Sequence, residues 1–184
     1  MSKLIYITNI SLDGYIEDQT GAFDFGDPEQ THPLVCELLR PVGTYLHGRR
    51  LYEKMSYWDG AAESYPTQFQ EFARIWQKPE KVVYSRTLRA PTTRNTRIET
   101  DFDVDAIRKL KTGSDADITV GGAELASLAL EAALIDEIHL IVHPVIFGGG
   151  KPALQTRQQR NLEPLESRHS GTAVVYTRYR VPTT

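Results

Sequence analysis

Two adjacent glycines, Gly121 and Gly122, separate a strand-like run from a helix-like run, and this junction restricts the fold more than any other feature. Residues 117–120 have the apolar pattern of a buried strand, and residues 123–126 have that of a helix. A glycine pair lets the backbone turn sharply and come close to a ligand, while the first N–H groups of the helix favour an anion. The junction therefore predicts either a phosphate site or a tight strand-to-helix turn that binds nothing.

The rest of the chain alternates between strand-like and helix-like patterns. Runs rich in Ile, Val and Tyr predict strands at residues 3–10, 42–47, 81–85, 137–143 and 172–181. Apolar residues at helical spacing predict helices at residues 31–39, 49–55, 68–77 and 103–111. Strands separated by helices favour a parallel sheet, and the late strands, which have no helix between them, favour an antiparallel edge. The predicted fold class is α/β.

Composition limits the number of domains and the class of partner. The 184 residues, 40% hydrophobic and 24% charged, predict a single globular domain over residues 1–184. A formal net charge of -3 gives no field that would attract nucleic acid or an anionic membrane, so neither partner is expected. The single cysteine, Cys36, excludes an intramolecular disulfide and a cysteine cluster, and its position in a helical pattern predicts core packing.

The first residues and the histidines give two further expectations. Residues 1–3 lead directly into a strand pattern without a secretory signal, which predicts a cytoplasmic protein. His139 and His143 alternate on one strand face, but no third ligand is clustered with them, so we interpret them as structural or interface residues and predict no metal.

Three of the predicted strands end in residues that suit a phosphorylated ligand. Gly48, Arg49 and Arg50 follow one strand, Ser85 and Arg86 follow another, and the glycine pair follows a third. In open α/β sheets ligands bind beyond the carboxyl ends of the strands, where arginines, a hydroxyl and backbone donors together can hold separated phosphates. The alternative is that these arginines are solvated surface charges.

Five short segments in order resemble a known family. They are residues 11–14, 48–53, 85–88, 120–125 and 143–150. Together they resemble the dihydrofolate reductase-like family that includes the C-terminal reductase domain of the bifunctional riboflavin-biosynthesis protein. The resemblance covers almost the whole chain and implies a three-layer α/β/α fold. It also implies a homodimer formed through the late strands, since a strand such as residues 137–142 would otherwise be exposed.

The resemblance further implies NADPH as the cofactor and assigns residues to it. Gly48, Arg49 and Arg50 would line the adenosine phosphate region, and Ser85 and Arg86 would hold the ribose 2′-phosphate. The pyrophosphate would lie on the glycine-rich turn formed by Gly121, Gly122, Ala123, Glu124 and Leu125. Members of the family often have a cis peptide between the two glycines.

Two residues are candidates for the reacting end. Asp13 follows the first strand, where the riboflavin branch has an aspartate near the substrate; its alternative role is an Asx turn with Gly14. His32 could exchange a proton near neutral pH, or it could be a polar residue in the first helical turn. The resemblance then predicts an NADPH-dependent reductase of a small heterocycle, most like 5-amino-6-(5-phosphoribosylamino)uracil reductase.

The resemblance to folate reductases themselves is incomplete. At the position where they have a carboxylate on the first helix this chain has His32, although Glu29 and Glu37 are close in sequence. Dihydrofolate is therefore a less favoured substrate. Two alternatives share all the cofactor motifs: an inactive nucleotide-binding or sensor module, and a reductase of an unrelated compound. Residues 148–152 lack the spacing of a P-loop, so they predict a hairpin-like connection or a subunit contact.

Overall fold

The computed structural model describes residues 2–23, 25, 31–171 and 173–182. The strands are β1 (Leu4–Ser11), β2 (Tyr15–Glu17), β3 (Val42–Gly48), β4 (Glu80–Tyr84), β5 (Thr96–Glu99), β6 (Asp117–Gly121), β7 (Glu137–His143), β8 (Lys151–Pro152), β9 (Glu163–Ser170) and β10 (Val174–Arg180). The helices are α1 (His32–Leu39), α2 (Arg49–Met55), α3 (Thr67–Gln77), α4 (Val104–Gly113) and α5 (Ala123–Glu131). Short 3-10 turns at Ser56–Asp59 and Ala62–Ser64 connect α2 to α3.

Eight strands form one mixed sheet in the order β5-β4-β3-β6-β1-β7-β10-β9. The first six in this order are parallel, whereas β10 is antiparallel to both of its neighbours, β7 and β9. Strands β2 and β8 form a separate two-stranded antiparallel pair. The predicted parallel sheet with an antiparallel C-terminal edge is confirmed.

Helices cover both faces of the sheet, which gives three layers. On one face α4 and α5 pack against β6, β1 and β7 around Ile107, Val120 and Ile138. On the other face α1 and α3 pack against β3, with Cys36 and Trp76 buried beside Tyr45. The alternation of side chains along each strand produces this division, because successive residues point to opposite faces. Cys36 is a core residue, as predicted.

The expectation that residues 137–142 form an exposed edge is wrong. Strand β7 pairs with β1 on one side and with β10 on the other, so hydrogen bonds cover both of its edges. On this side of the sheet the edge strand is β9, whose charged residues and Pro164 are typical of an edge that resists further pairing. The structural reason for a dimer through β7 is therefore removed, and the homodimer stays a prediction.

The turn between β6 and α5 has the predicted location but not the cis peptide that the family resemblance implied. The Gly121–Gly122 bond is trans, and Gly122 has a φ of 95°, a conformation that favours glycine. Gly121 has a different role: a Cβ there would meet Cδ2 of Leu51 and lie 3.1 Å from Cδ2 of His47, so both side chains would have to shift. The first glycine thus lets α2 pack closely on β6, and the second makes the turn.

A buried charge network joins three segments at the end of the sheet opposite the turn between β6 and α5. Glu137, at the start of β7, accepts hydrogen bonds from Arg178 at 2.8 and 3.0 Å and forms an ion pair with Lys3 at 2.8 Å. His139 Nε2 lies 3.0 Å from the same carboxylate. Burial raises the pKa of Glu137, but the hydrogen bonds from Arg178, Lys3 and His139 outweigh it and lower the pKa to about 2.

In the described part of the chain, no helix is long and apolar enough to cross a membrane.

Candidate functional site

Four neighbouring strand ends bring the predicted site segments to one edge of the sheet. In the order β4, β3, β6 and β1, Ser85 follows the first strand, Gly48 and Gly121 are the last residues of the next two, and Asp13 lies two residues beyond the fourth. Because these strands are parallel, their carboxyl ends lie side by side, and we call this edge of the sheet, with the turns that follow the strands, the carboxyl edge. The predicted grouping of the three cofactor segments is therefore present, with Asp13 on the adjoining strand end.

The glycine turn presents the start of α5 to the carboxyl edge. Gly122 is the N-cap, and no side chain caps the helix there. The first intrahelical bond runs from Ala126 N to Gly122 O at 2.9 Å, so the N–H groups of Ala123, Glu124 and Leu125 have no acceptor within the helix. A Cβ built on Gly122 would meet no atom within 4 Å, which shows space on the outer side of the turn. This arrangement suits an anion.

Two cations lie at the same turn, and one of them was missed by the sequence reasoning. Lys151 Nζ lies 2.6 Å from Oε1 of Glu124, in the first turn of α5. This hydrogen bond and the positive charge of Lys151 lower the pKa of Glu124, with a smaller effect of the same sign from Arg50. Lys151 directly follows the glycines at residues 148–150. Its contact with Glu124 was not predictable from the sequence, because the two residues are far apart along the chain. The Glu124 side chain is thereby neutralised, and its backbone N–H is the group that suits a phosphate.

Arg49 and Ser85 connect the ends of β3 and β4. Arg49 Nε donates to Glu53 Oε1 at 2.7 Å, and its Nη1 donates to the hydroxyl of Thr87. Ser85 Oγ accepts hydrogen bonds from Thr87 N at 3.2 Å and Leu88 N at 2.9 Å. Ser85 therefore shapes the turn after β4, and its hydroxyl keeps one donor for a ligand. Thr87 belongs to the segment 85–88 that the sequence singled out, although no role at the cofactor was assigned to it.

Arg86 is held by a carboxylate that follows the next strand. Its Nε and Nη2 donate to Asp101 Oδ1 at 3.2 and 2.5 Å, and Asp101 also accepts from the hydroxyl of Thr100 at 3.1 Å. These bonds raise the pKa of Arg86 and lower that of Asp101. Strand β5, which precedes Asp101, has four residues and was not predicted, so this neighbour of Arg86 was missed as well.

Asp13 is fixed by hydrogen bonds to both carboxylate oxygens. Ser11 Oγ donates to Oδ1 at 2.6 Å, Phe147 N to Oδ1 at 3.1 Å, and Gly148 N to Oδ2 at 2.8 Å. The bond from Ser11, followed in size by those from the two backbone amides, lowers the pKa of Asp13 despite an opposing effect of burial. Asp13 is therefore ionised at neutral pH, so its carboxylate can accept hydrogen bonds but has no proton to donate. A cleft of about 310 Å³ beside it is lined by parts of β1 and β2 and by residues 152–154.

His32 lies in an aromatic cluster at the start of α1. Its ring centroid is 4.5 Å from that of Phe69, 5.2 Å from that of Phe72 and 6.1 Å from that of Trp58. These contacts are with α3 and the 3-10 turn that follows α2, rather than with the strand ends. A catalytic role for His32 stays a prediction.

The acidic residues near the first helix do not supply a folate-type carboxylate among the described residues. Glu37 is bound to Arg168 of β9 at 2.7 Å, away from the carboxyl edge. Glu29 lies outside the described residues. The two histidines of β7 also have other partners: His139 contacts Glu137 and Tyr176, and His143 contacts Asn9 at 2.9 Å. Within the described ranges, no group of three or more His, Cys, Asp or Glu side chains is arranged to hold a metal ion.

Comparison with solved structures identifies proteins of the same fold. A putative riboflavin biosynthesis protein from Shewanella sp. PV-4 superimposes with a TM-score of 0.78 at 20% identity, over 98% of this chain and 99% of that one. A pyrimidine reductase-like protein from Corynebacterium diphtheriae gives 0.70 at 17% identity, over 100% and 93% of the two chains. A diaminohydroxyphosphoribosylaminopyrimidine deaminase/5-amino-6-(5-phosphoribosylamino)uracil reductase from Thermotoga maritima gives 0.69 at 17% identity, over 98% of this chain and 57% of that one.

Comparison of sequences gives the family. An uncharacterized protein of Bacillus subtilis (strain 168), YyaP, is 29% identical over 181 residues, which are 96% of this chain and 94% of that protein. The sequence profile of the RibD C-terminal domain matches residues 2–176. That match spans nearly the whole sheet and all of the carboxyl edge described above. The chain belongs to the RibD C-terminal domain family, whose solved members have the dihydrofolate reductase-like fold.

Proposed function

We propose that this protein is an NADPH-dependent reductase of a small heterocycle, with 5-amino-6-(5-phosphoribosylamino)uracil reduction as the nearest named reaction. The reductases of the family use a nicotinamide cofactor. The observation that supports the proposal most is the carboxyl edge, where the ends of β4, β3 and β6 place cations and unsatisfied N–H groups beside the strand that leads to Asp13.

The residues present fit a phosphorylated dinucleotide. The open turn at Gly122 and the first N–H groups of α5 would hold a pyrophosphate, with Lys151 neutralising the Glu124 carboxylate and Arg50 nearby to offset the charge of the phosphates. Arg49 and Arg86 lie at the neighbouring strand ends, where each is a candidate for the 2′-phosphate. A bound NADPH would supply the hydride, and the protein would bind and orient the two reactants.

Asp13 is assigned to the substrate rather than to proton donation. Because its pKa is lowered, the carboxylate remains ionised and can accept hydrogen bonds from the ring N–H or amino groups of a heterocycle. Its two backbone partners, Phe147 and Gly148, fix the direction of both oxygens. The proton that accompanies the hydride then comes from another donor, such as water.

The first test is a parallel titration of the purified protein with NADPH and NADH by calorimetry, followed by a screen of aminopyrimidines, pterins and folates for NADPH oxidation. We expect NADPH to bind more tightly than NADH, and Arg49→Ala to weaken NADPH about tenfold or more, as the loss of a charged hydrogen bond does. Binding of neither nucleotide would refute the proposal. Binding without turnover of any heterocycle would favour a nucleotide-binding module instead.

A further inference from the structure

The guanidinium of Arg86 already has an anionic partner at the place proposed for the 2′-phosphate. Asp101 Oδ1 accepts from Nε and Nη2 of Arg86 at 3.2 and 2.5 Å, which occupies one edge of the planar fork. That edge is one of those through which arginine binds a phosphate with two parallel bonds. A phosphate on the same edge has to displace the carboxylate or accept its repulsion.

The backbone holds the two residues next to each other. Ser85 N donates to Glu99 O at 2.9 Å, so the turn after β4 and the end of β5 are joined directly before Arg86 and Asp101. Thr100 Oγ1 donates to the second oxygen of Asp101 at 3.1 Å and restrains the carboxylate. The pair is therefore built by two adjoining strand ends rather than by a chance meeting of long side chains.

Stabilisation of the fold does not account for this pair. The side chains of Arg86 and Asp101 are 80% and 66% exposed, and ion pairs with such exposure add little to stability. Exposure also means that a nucleotide can reach both groups. A carboxylate at a ribose site can accept hydrogen bonds from the hydroxyls of an unphosphorylated ribose, which is how many NAD sites use an acidic residue.

We propose that Asp101 is a specificity-determining residue of the cofactor site, whose carboxylate competes with the 2′-phosphate of NADPH for Arg86 and so narrows the preference for NADPH over NADH. The inference rests on the proposed function, because it concerns the same nucleotide site. It predicts that the ratio of the affinities for NADPH and NADH is smaller than Arg86 would produce without Asp101. It also predicts that removal of this one carboxylate changes the ratio.

The test compares dissociation constants for NADPH and NADH in the wild type, Asp101→Asn, Arg86→Ala and the double variant. Asp101→Asn should tighten NADPH about fivefold, the upper range for an exposed charge interaction, and leave NADH unchanged or weaker. In the Arg86→Ala background the same change should have little effect on NADPH, because the competition has been removed. Adenosine 2′,5′-bisphosphate and AMP, titrated in parallel, restrict the readout to the phosphate end of the nucleotide.

Glu99→Gln is the matched control. It removes the same charge two residues earlier, but Glu99 pairs with Arg97 at 3.2 Å instead of Arg86, so the nucleotide preference should not change. An equal effect of Asp101→Asn on NADPH and NADH, or the same effect from Glu99→Gln, would overturn the inference while leaving the reductase proposal intact. If the wild type binds neither nucleotide, the proposed function itself fails.

Discussion

At the scale of single residues, the carboxylate of Asp13 has two roles to separate. It accepts hydrogen bonds from Phe147 N and Gly148 N, which is a structural role in holding the turn at residues 147–150. It also lines the cleft beside β1, which is where a substrate would contact it. The Asx turn expected as an alternative for this residue is replaced by these longer-range bonds. A structural role and a substrate contact are compatible, but they respond differently to substitution.

Asp13→Asn should lower kcat/KM for the heterocycle about a hundredfold and change the affinity for NADPH by less than about twofold, as for a group that acts only at the reacting end. Because the pKa of Asp13 is lowered, the residue stays ionised through the neutral range, and its titration should not appear in the kcat/KM profile between about pH 5 and pH 9. Steady-state kinetics across that range, with calorimetry for NADPH, measure both quantities.

Ser11→Ala is the control for Asp13→Asn. It removes the hydroxyl that donates to Asp13 at 2.6 Å but keeps the Asp13 carboxylate and its two hydrogen bonds to the turn at residues 147–150. A loss of activity as large in Ser11→Ala as in Asp13→Asn would show that the hydrogen bonds of Ser11, which also accepts from Tyr15 N at 3.0 Å, control turnover, and it would contradict a direct contact between Asp13 and the substrate.

At the scale of elements, the contact between α2 and β6 depends on Gly121. A side chain at this position would meet the end of the Leu51 side chain of α2 and the ring of His47 of β3, so the absence of a Cβ lets these two side chains pack against the strand. The same contact places Arg49 and Arg50 at the carboxyl edge next to the start of α5. Packing and the proposed cofactor site are therefore coupled through one glycine.

Gly121→Ala should destabilise the protein by roughly 1 kcal/mol through overpacking, because the Leu51 and His47 side chains must shift, and it should also weaken NADPH, because Leu51 belongs to the helix that begins with Arg49 and Arg50. Thermal or denaturant unfolding and a nucleotide titration of the same samples provide the measurement. Gly113→Ala, at the end of α4, is the control, since a Cβ there meets nothing within 4 Å. Equal stability of Gly121→Ala and the wild type would contradict the close packing described here.

Elements with strong local patterns were predictable from the sequence, and weak ones were not. The strands and helices around Gly48 and Gly121 have regular apolar spacing, and the structure has them within a few residues of the predicted bounds. The short strand β5 and the polar edge strand β9 have no such pattern, so pairing with neighbours, rather than composition, defines them. Asp101, which follows β5, and Lys151, in the two-residue strand β8, were missed because each becomes a site neighbour only through tertiary contacts.

At the scale of the whole molecule, the two ends of the sheet have different roles. The carboxyl edge has exposed cations and an open helix start, whereas the opposite end has the buried network in which Glu137 accepts bonds from Lys3, His139 and Arg178. This network joins the residues before β1 to β7 and β10. Because it lies at the far end of the same strands, stability and nucleotide binding should be separable by mutation.

The buried network should make stability depend on pH in the acid range. The pKa of Glu137 is about 2 in the folded protein against 4.5 for the ordinary group, so its contribution is complete above about pH 4.5 and is lost as the pH falls toward 2. The shift corresponds to roughly 3 kcal/mol. Denaturant unfolding at several pH values should show this loss in the wild type and a lower, flatter curve for Glu137→Gln.

The matched control, Glu163→Gln, removes a carboxylate that pairs with Arg180 at 2.8 Å but is about half exposed, so it should alter stability by less than about 1 kcal/mol. Glu137→Gln should also leave the affinity for NADPH unchanged, because the network and the carboxyl edge lie at opposite ends of the sheet. Parallel losses of stability for both variants would show that surface charge, rather than the buried network, governs acid unfolding. A loss of NADPH affinity in folded Glu137→Gln would show instead that the two ends of the sheet are coupled.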